Sequence, residues 1–279
     1  MTSPAASVLL VARNAASTIG AQLDALARQA FSEPWEIVVV DDGSTDATTA
    51  IVDGRLAAVP WLRRIEGPGH GVGAARNAAL AAARADVLLM VDADDEVAPG
   101  WLAAMAGALA QSQLVAGALD IDALNPEWVR NTRGRAIADG PSTFAGVVPF
   151  ANSCNMGMRR AVLDQIGGFD ESLQAGEDIE FSYRAARAGI PVTYVAAAVV
   201  RYRYRTSLGA LWRQATAYGR ARRVLEARLR ADGVAVPDAH IVRGWLGVAR
   251  RVPHAVRRSR RADLVFATGN LWGRTGGMR

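Results

Sequence analysis

Five short apolar runs in the first 121 residues, each separated from the next by a stretch of helical periodicity, restrict this chain to a small set of folds. The runs occupy residues 8–12, 36–40, 62–65, 86–91 and 114–121. Runs of that length bounded by turn residues read as buried strands. The stretches between them place apolar residues three and four apart. Ser17 is the expected N-cap of a helix carrying Ile19, Leu23, Leu26 and Ala30 toward a core. A helix from about Thr45 puts Ile51, Val52 and Leu56 on one face, an Ala-rich helix runs over 73–84, and another over 99–110. Strand–helix alternation of this kind predicts an α/β fold, a parallel sheet covered by helices on both faces. Hydrophobic residues make up 51% of the chain, enough to fill both layers.

The alternation stops at a polar stretch rich in Gly and Pro, residues 125–146, which reads as a long loop. Order returns over 147–158, with helices expected at 159–166 and 178–188 and a strand at 192–200. After Ser207 the pattern is helical to about Arg230, with shorter helices near 239–250 and 263–272, and no internal repeat is present. This divides the chain into a domain over 1–205 and a helical region over 206–279.

Charge follows the same division. Residues 1–200 hold 14 Arg against 23 Asp and Glu, residues 201–279 hold 18 Arg against 4, and the chain has no Lys. Such segregation suits a C-terminal region that faces phosphates or lipid headgroups. That region contains R-Y-R-Y-R (201–205), Arg220, Arg222, Arg223 and R-R-S-R-R (257–261), interleaved with Trp212, Leu225, Leu229, Trp245, Leu246, Leu264, Phe266 and Trp272. Two readings fit: helices lying on an anionic membrane surface, or a solvated appendage that packs on the core or on a second copy. The single Cys154 excludes an internal disulfide and agrees with a reducing, cytoplasmic setting. The first apolar run lacks a basic flank and is too short for a secretory signal, and no stretch approaches the roughly 18 apolar residues of a membrane span.

Chemistry is expected where strands end, because open α/β sheets bind ligands outside the carboxyl ends of their strands. The second run ends in D-D-G-S-T-D (41–46). A carboxylate there can accept from the ring N–H of a base, or it can form an Asx turn and cap the next helix. G-V-G-A-A-R-N (71–77) opens a helix whose free N–H groups favour anions, with Arg76 in its first turn, although a Gly-rich turn of purely structural use looks the same. V-D-A-D-D (91–95) puts three acids within four positions at the end of an apolar strand. Hard divalent cations such as Mg²⁺ and Mn²⁺ take oxygen ligands of this type together with substrate phosphates. G-G-F-D-E (167–171) precedes G-E-D-I-E-F (176–181), where Glu177 and Asp178 stand at a helix start. They can complement the helix dipole, or act as a general base toward a hydroxyl.

These motifs, in this order, resemble the family-2 glycosyltransferases of GT-A fold, over residues 8–205, about three quarters of the chain. The resemblance implies an inverting, single-displacement transfer from a nucleoside-diphosphate sugar to a hydroxyl acceptor, in cell-envelope or polysaccharide synthesis, with Mn²⁺ or Mg²⁺ as cofactor. It further implies that Val11, Arg13 and Asp42 hold the nucleotide and that Arg76 lies beside it. Asp92 approaches the ribose or metal, and Asp94, with Asp95, holds the metal. Asp178 is the base, with Glu177 beside it. One departure stands out: the family commonly has P-T-Y-N or P-A-Y-N after the first strand, and this chain has Val11-Ala12-Arg13-Asn14. A guanidinium can still stack on a base or pair with phosphate. For the acceptor side, which includes a lipid-linked molecule among its options, Asn152, Asn155, Trp128 and Arg133 are candidates. Arg203 or Arg205 is a further candidate for the diphosphate.

Two other classes compete. A sugar-1-phosphate nucleotidyltransferase would place a Gly-rich, Arg- and Lys-bearing loop after the first strand, where this chain has A-R-N-A-A-S. A nucleic-acid-binding protein would use the Arg-rich end, but the acidic clusters of the first 200 residues repel a phosphate backbone.

Overall fold

The computed structural model describes residues 3–130, 140–237, 241–255 and 257–276. Its elements begin β1 (Ala6–Ala12), α1 (Ile19–Ala27), β2 (Trp35–Asp41), α2 (Thr48–Leu56), β3 (Leu62–Glu66), α3 (Val72–Ala82) and β4 (Val87–Asp92). There follow β5 (Glu96–Val97), α4 (Trp101–Ala108), β6 (Leu114–Asp120), α5 (Glu127–Arg130), β7 (Ser142–Phe144), β8 (Val148–Phe150), β9 (Asn155–Arg159) and α6 (Arg160–Ile166). The last are α7 (Glu177–Arg187), β10 (Val192–Arg201), α8 (Leu208–Ala231), α9 (Ile241–Arg251) and α10 (Arg258–Thr275).

Eight strands form one sheet in the order β3-β2-β1-β4-β9-β6-β10-β5, and β7 and β8 form a separate hairpin. β3, β2, β1 and β4 are parallel neighbours, as the alternation requires. β9 then enters antiparallel between β4 and β6, β10 runs parallel to β6, and the two-residue β5 pairs antiparallel with β10. The sheet is therefore mixed, with a parallel majority. A five-residue strand carries too little periodicity to announce its direction. Gly157 fits β9 into its slot: a Cβ there would stand 2.9 Å from Leu89 and from Val115.

Successive side chains of a strand point to opposite faces, so each strand feeds two cores. Val8, Leu10, Ile37, Val39, Leu89 and Val91 meet α1 and α4 through Ile19, Leu23, Trp101 and Met105. Leu9, Val38, Leu88, Met90, Met156 and Met158 meet α3, α6 and α7 through Ala75, Leu80, Val162 and Phe181. Within the stretch expected to be a loop, the structure places α5 and β7, and residues 131–139 lie outside the described ones. Thr18, not Ser17, occupies the N-cap of α1, without a side-chain capping bond.

Ser207 caps α8 by accepting from the Ala210 N–H at 3.2 Å. Leu225 and Leu229 of α8 pack on Phe144 and Val148 of the hairpin, with Leu173. α10 is longer than its sequence pattern suggested and lies hard against α8 through small residues. A Cβ on Gly219 would stand 2.0 Å from the Asn270 carbonyl oxygen, and one on Gly273 would stand 2.2 Å from that of Thr216. Gly219→Ala should therefore push the two helices apart at a cost of about 1–3 kcal/mol, read as a fall of several degrees in the thermal midpoint. An unchanged midpoint would show that the pair has room to spare. Among the described residues no helix is long and apolar enough to cross a membrane.

Candidate active site

The strand register assembles the acids. Ala12 pairs with Asp41, and Val11 with Asp92, so the ends of β2 and β4 flank the end of β1. Antiparallel pairing of Val91 with Asn155 brings Ser153 and Cys154, just before β9, beside the end of β4. Parallel pairing of Arg201 with Asp120, and antiparallel pairing of Arg201 with Glu96, lays Tyr202–Arg205 along the Asp94-Asp95 turn. All of this lies at the edge where an open α/β sheet takes its ligand.

A cleft of about 620 Å³ opens there. Its charged lining residues are Arg76, Asp92, Asp94, Glu177, Asp178, Arg205 and Arg222. Its aromatic lining residues are Phe144, Phe150, Tyr202, Tyr204, Tyr218 and Phe266, with Arg222 over the Phe144 ring. The Tyr202 and Tyr204 rings meet edge to face, 5.4 Å between centroids. Residues of α8 and α10 thus form part of the wall, next to the residues of the first 205.

Arg76, buried in the first half of α3, donates to Glu177 and, at 3.1 Å, to Asp92 Oδ1. Burial disfavours its charge, but Asp92, Glu177 and Asp178 more than offset that, and its pKa is raised. It clamps the start of α7 to the end of β4. Glu177 is buried and engaged by this arginine. Asp178, its neighbour, faces the cleft, accepting from the Ser153 N–H at 3.3 Å and the Ile179 N–H at 2.9 Å. Burial, and then the charge of Glu177, push the Asp178 carboxyl up to about 7. The carboxyl is thereby placed where a general base is most effective.

Asp94 receives Arg205 Nη1 at 2.6 Å, and burial raises its pKa against the pull of that arginine. Asp95 accepts from the Arg203 N–H at 2.7 Å through Oδ1, while its buried Oδ2 has no hydrogen-bond partner. Burial, then the charges of Asp94 and Asp92, push Asp95 up to about 9. Ligand atoms of Asp92, Asp95 and Cys154 lie within 4.8 Å of one another. An orphaned carboxylate oxygen among crowded carboxylates fits a hard divalent cation. The Cys154 thiol, its pKa raised well up by burial, is a poor ligand for Mg²⁺ or Mn²⁺, so the oxygens carry the fit.

Asp42 lies outside this cleft lining, at the end of β2. It is 3% exposed and braces the next turn by accepting from the Gly69 N–H at 2.7 Å. Asp41 and Asp46 form the local turn bonds open to them, with the Ser44 N–H at 2.9 Å and the Thr48 N–H at 3.0 Å. Val11 is half-buried and Arg13 is exposed just past β1. Asn152 lines the cleft, but Asn155 is 1% exposed. Its amide donates to the carbonyls of Ala118 and Ala198 and accepts from the Trp101 ring N–H, a structural role. Trp128 lies outside the cleft, 4.0 Å from its ring centroid to the Arg258 guanidinium carbon, and Arg133 is outside the described residues. Ser153 and Cys154 carried no motif, and only the β4–β9 pairing reveals them.

Residues 7–167, more than half of the chain, match the model of Glycosyl transferase family 2. A pre-mycofactocin glycosyltransferase of Mycobacterium tuberculosis is 29% identical over 181 residues, covering 62% of this chain and 38% of that protein. The succinoglycan biosynthesis protein ExoO of Rhizobium meliloti is 33% identical over 193 residues, covering 63% of this chain and 53% of that protein. The chain thus spans between about a third and a half of the length of these relatives. Among solved structures, the mannosyltransferase PcManGT from Pyrobaculum calidifontis, in complex with GDP-Man and Mn²⁺, superposes with a TM-score of 0.66. It is 19% identical, and the match covers 98% of this chain and 88% of that one, a likeness of fold.

Proposed function

This chain belongs to glycosyl transferase family 2, and from that premise we propose that it moves a sugar from a nucleoside-diphosphate sugar to a hydroxyl acceptor by inverting single displacement. The observation that carries the reading is the pairing, in one cleft, of a carboxyl held up at about 7 with a crowd of acids and arginines that suits a diphosphate and its cation. The name of the succinoglycan relative supports a role in polysaccharide synthesis. The bound GDP-Man and Mn²⁺ of the mannosyltransferase support a nucleotide-sugar donor and a divalent ion.

In this reading Asp42, Val11 and Arg13 hold the nucleotide at the ends of β1 and β2, with Arg76 anchoring the wall beneath. Asp92, Asp94 and Asp95 would hold Mn²⁺ or Mg²⁺, which when bound supplies positive charge for the diphosphate. Asp178 takes the proton of the acceptor hydroxyl as that oxygen attacks the anomeric carbon. The bond from that carbon to the diphosphate oxygen breaks on the opposite face, the configuration inverts, and a nucleoside diphosphate leaves. Asp178, not Glu177, suits the base because Glu177 is committed to Arg76. Arg205, half-exposed beside Asp94, is placed to stabilise charge on the leaving group.

Incubation with a panel of nucleotide sugars tests the assignment. Mn²⁺- or Mg²⁺-dependent release of nucleoside diphosphate is expected, whereas turnover of a sugar 1-phosphate that yields pyrophosphate would overturn it. The pH profile tests the base. A base works only unprotonated, so kcat/KM should rise about tenfold per pH unit below about 7 and level off above it. A profile flat from pH 5 to 8, on the order of that window, would remove a group with so high a pKa from the role.

A further inference from the structure

The mechanism makes no use of the outer side of α9 or of the residues that lead from it to α10. Residues 241–263 contain seven arginines and a single acid, Asp263. Asp263 is itself engaged by Arg251 at 3.1 Å. Within this cationic region α9 is amphipathic in an inverted sense. Val248 is its buried residue, and a Cβ on Gly244 would stand 2.7 Å from Leu271 of α10, so that side faces the protein. Val242, Leu246 and Ala249, spaced four and three apart, fall on one stripe facing away from it. Val242 is 73% exposed, Leu246 54% and, just beyond the helix, Val252 57%. These are among the most exposed large apolar side chains of the described residues. Arg243 and Arg250 border the stripe, and both are exposed. At the foot of the helix a concavity of about 610 Å³ is lined by Arg251, His254, Arg257 and Arg260 with Pro253 and Asp263.

We propose that α9 and the α9–α10 turn are a docking surface for an anionic lipid bilayer, with Val242, Leu246 and Val252 entering the headgroup boundary and the flanking arginines contacting lipid phosphates. An apolar stripe rimmed by arginine is what an interfacial helix presents to a membrane. Charge decides the occupant: a stripe meant for a second copy of this chain would bring two strongly cationic rims together, and their repulsion disfavours that pairing. A bilayer containing anionic lipid offers complementary charge and apolar depth at once. α10 extends from this turn to Phe266 and Asn270, which line the cleft, so a bilayer at α9 lies at the other end of a helix that forms the cleft wall.

The test is co-sedimentation of the full chain with vesicles of phosphatidylcholine alone and of phosphatidylcholine mixed with phosphatidylglycerol, at low and high salt. Pelleting is expected with the anionic vesicles only and should weaken as salt rises. Val242→Ser with Leu246→Ser should lower vesicle partitioning about tenfold or more while leaving heparin binding and the thermal midpoint unchanged. Arg257→Glu with Arg260→Glu should weaken vesicle and heparin binding together. Equal pelleting with both vesicle types, none with either, or full vesicle binding by the serine variant would overturn the proposal, the last by reducing the surface to a general polyanion site. A wild-type dimer in solution that the serine variant converts to monomer would overturn it in favour of a second copy.

Discussion

Asp178→Asn should lower turnover by about 10²- to 10⁴-fold while nucleoside diphosphate affinity, measured by calorimetry, stays as in the wild type. The Ser153 and Ile179 N–H groups donate to different oxygens of the carboxyl, so the amide keeps the shape and one of the two acceptors but cannot take a proton. Unfolding is separable from this loss, because linkage gives the opposite sign for stability. The wild-type carboxyl rests at about 7 in the fold against 3.8 in the free chain. The folded form holds its proton over that interval, so this group's contribution to stability falls as pH rises from about 4 to about 7. Removing the charge relieves that cost, and the asparagine variant should melt no lower than wild type at pH 8, roughly one unit above the folded value. Near-normal turnover in a folded Asp178→Asn protein would take Asp178 out of the reaction.

Asp94→Ala is the second large effect. Calorimetry with and without Mn²⁺ should show the metal-dependent part of nucleoside diphosphate binding weakened by about a hundredfold, with metal-independent binding retained. The fold should tolerate the change, because the ion pair lost is to Arg205, whose side chain is 50% exposed, and pairs of that kind contribute little. Asp95→Asn is the informative companion. Its buried carboxyl holds the Arg203 N–H and carries the orphaned oxygen. Should Asp95→Asn abolish the metal-dependent binding while Asp94→Ala leaves it intact, the cation belongs with Asp92 and Asp95, and Asp94 serves Arg205.

The placement of the candidate residues shows which signals were local. D-D-G-S-T-D, V-D-A-D-D and G-E-D each lie at a strand end or helix start, because an apolar run followed by acids can fold in few ways. What the motifs do not carry is their relation to one another. Arg76 reads as a residue beside a nucleotide, and in the fold it also ties Glu177 to Asp92. Asn155 reads as a candidate for the acceptor, and it is instead sealed inside, bridging Ala118, Ala198 and Trp101. A polar side chain looks the same in sequence whether it meets a ligand or a buried carbonyl.

By itself the sequence determined the alternation of strands and helices, the two-sided core and the acids at the strand ends, since each depends on residues within a few positions of one another. Only the tertiary structure decided that β9 enters antiparallel between β4 and β6, placing Ser153 and Cys154 at the acids. It also paired Arg203 and Arg205, which read in sequence as candidates for the diphosphate, with the Asp94-Asp95 turn. Those pairings join residues far apart in sequence, and they are fixed by strand register and packing, which no local periodicity encodes.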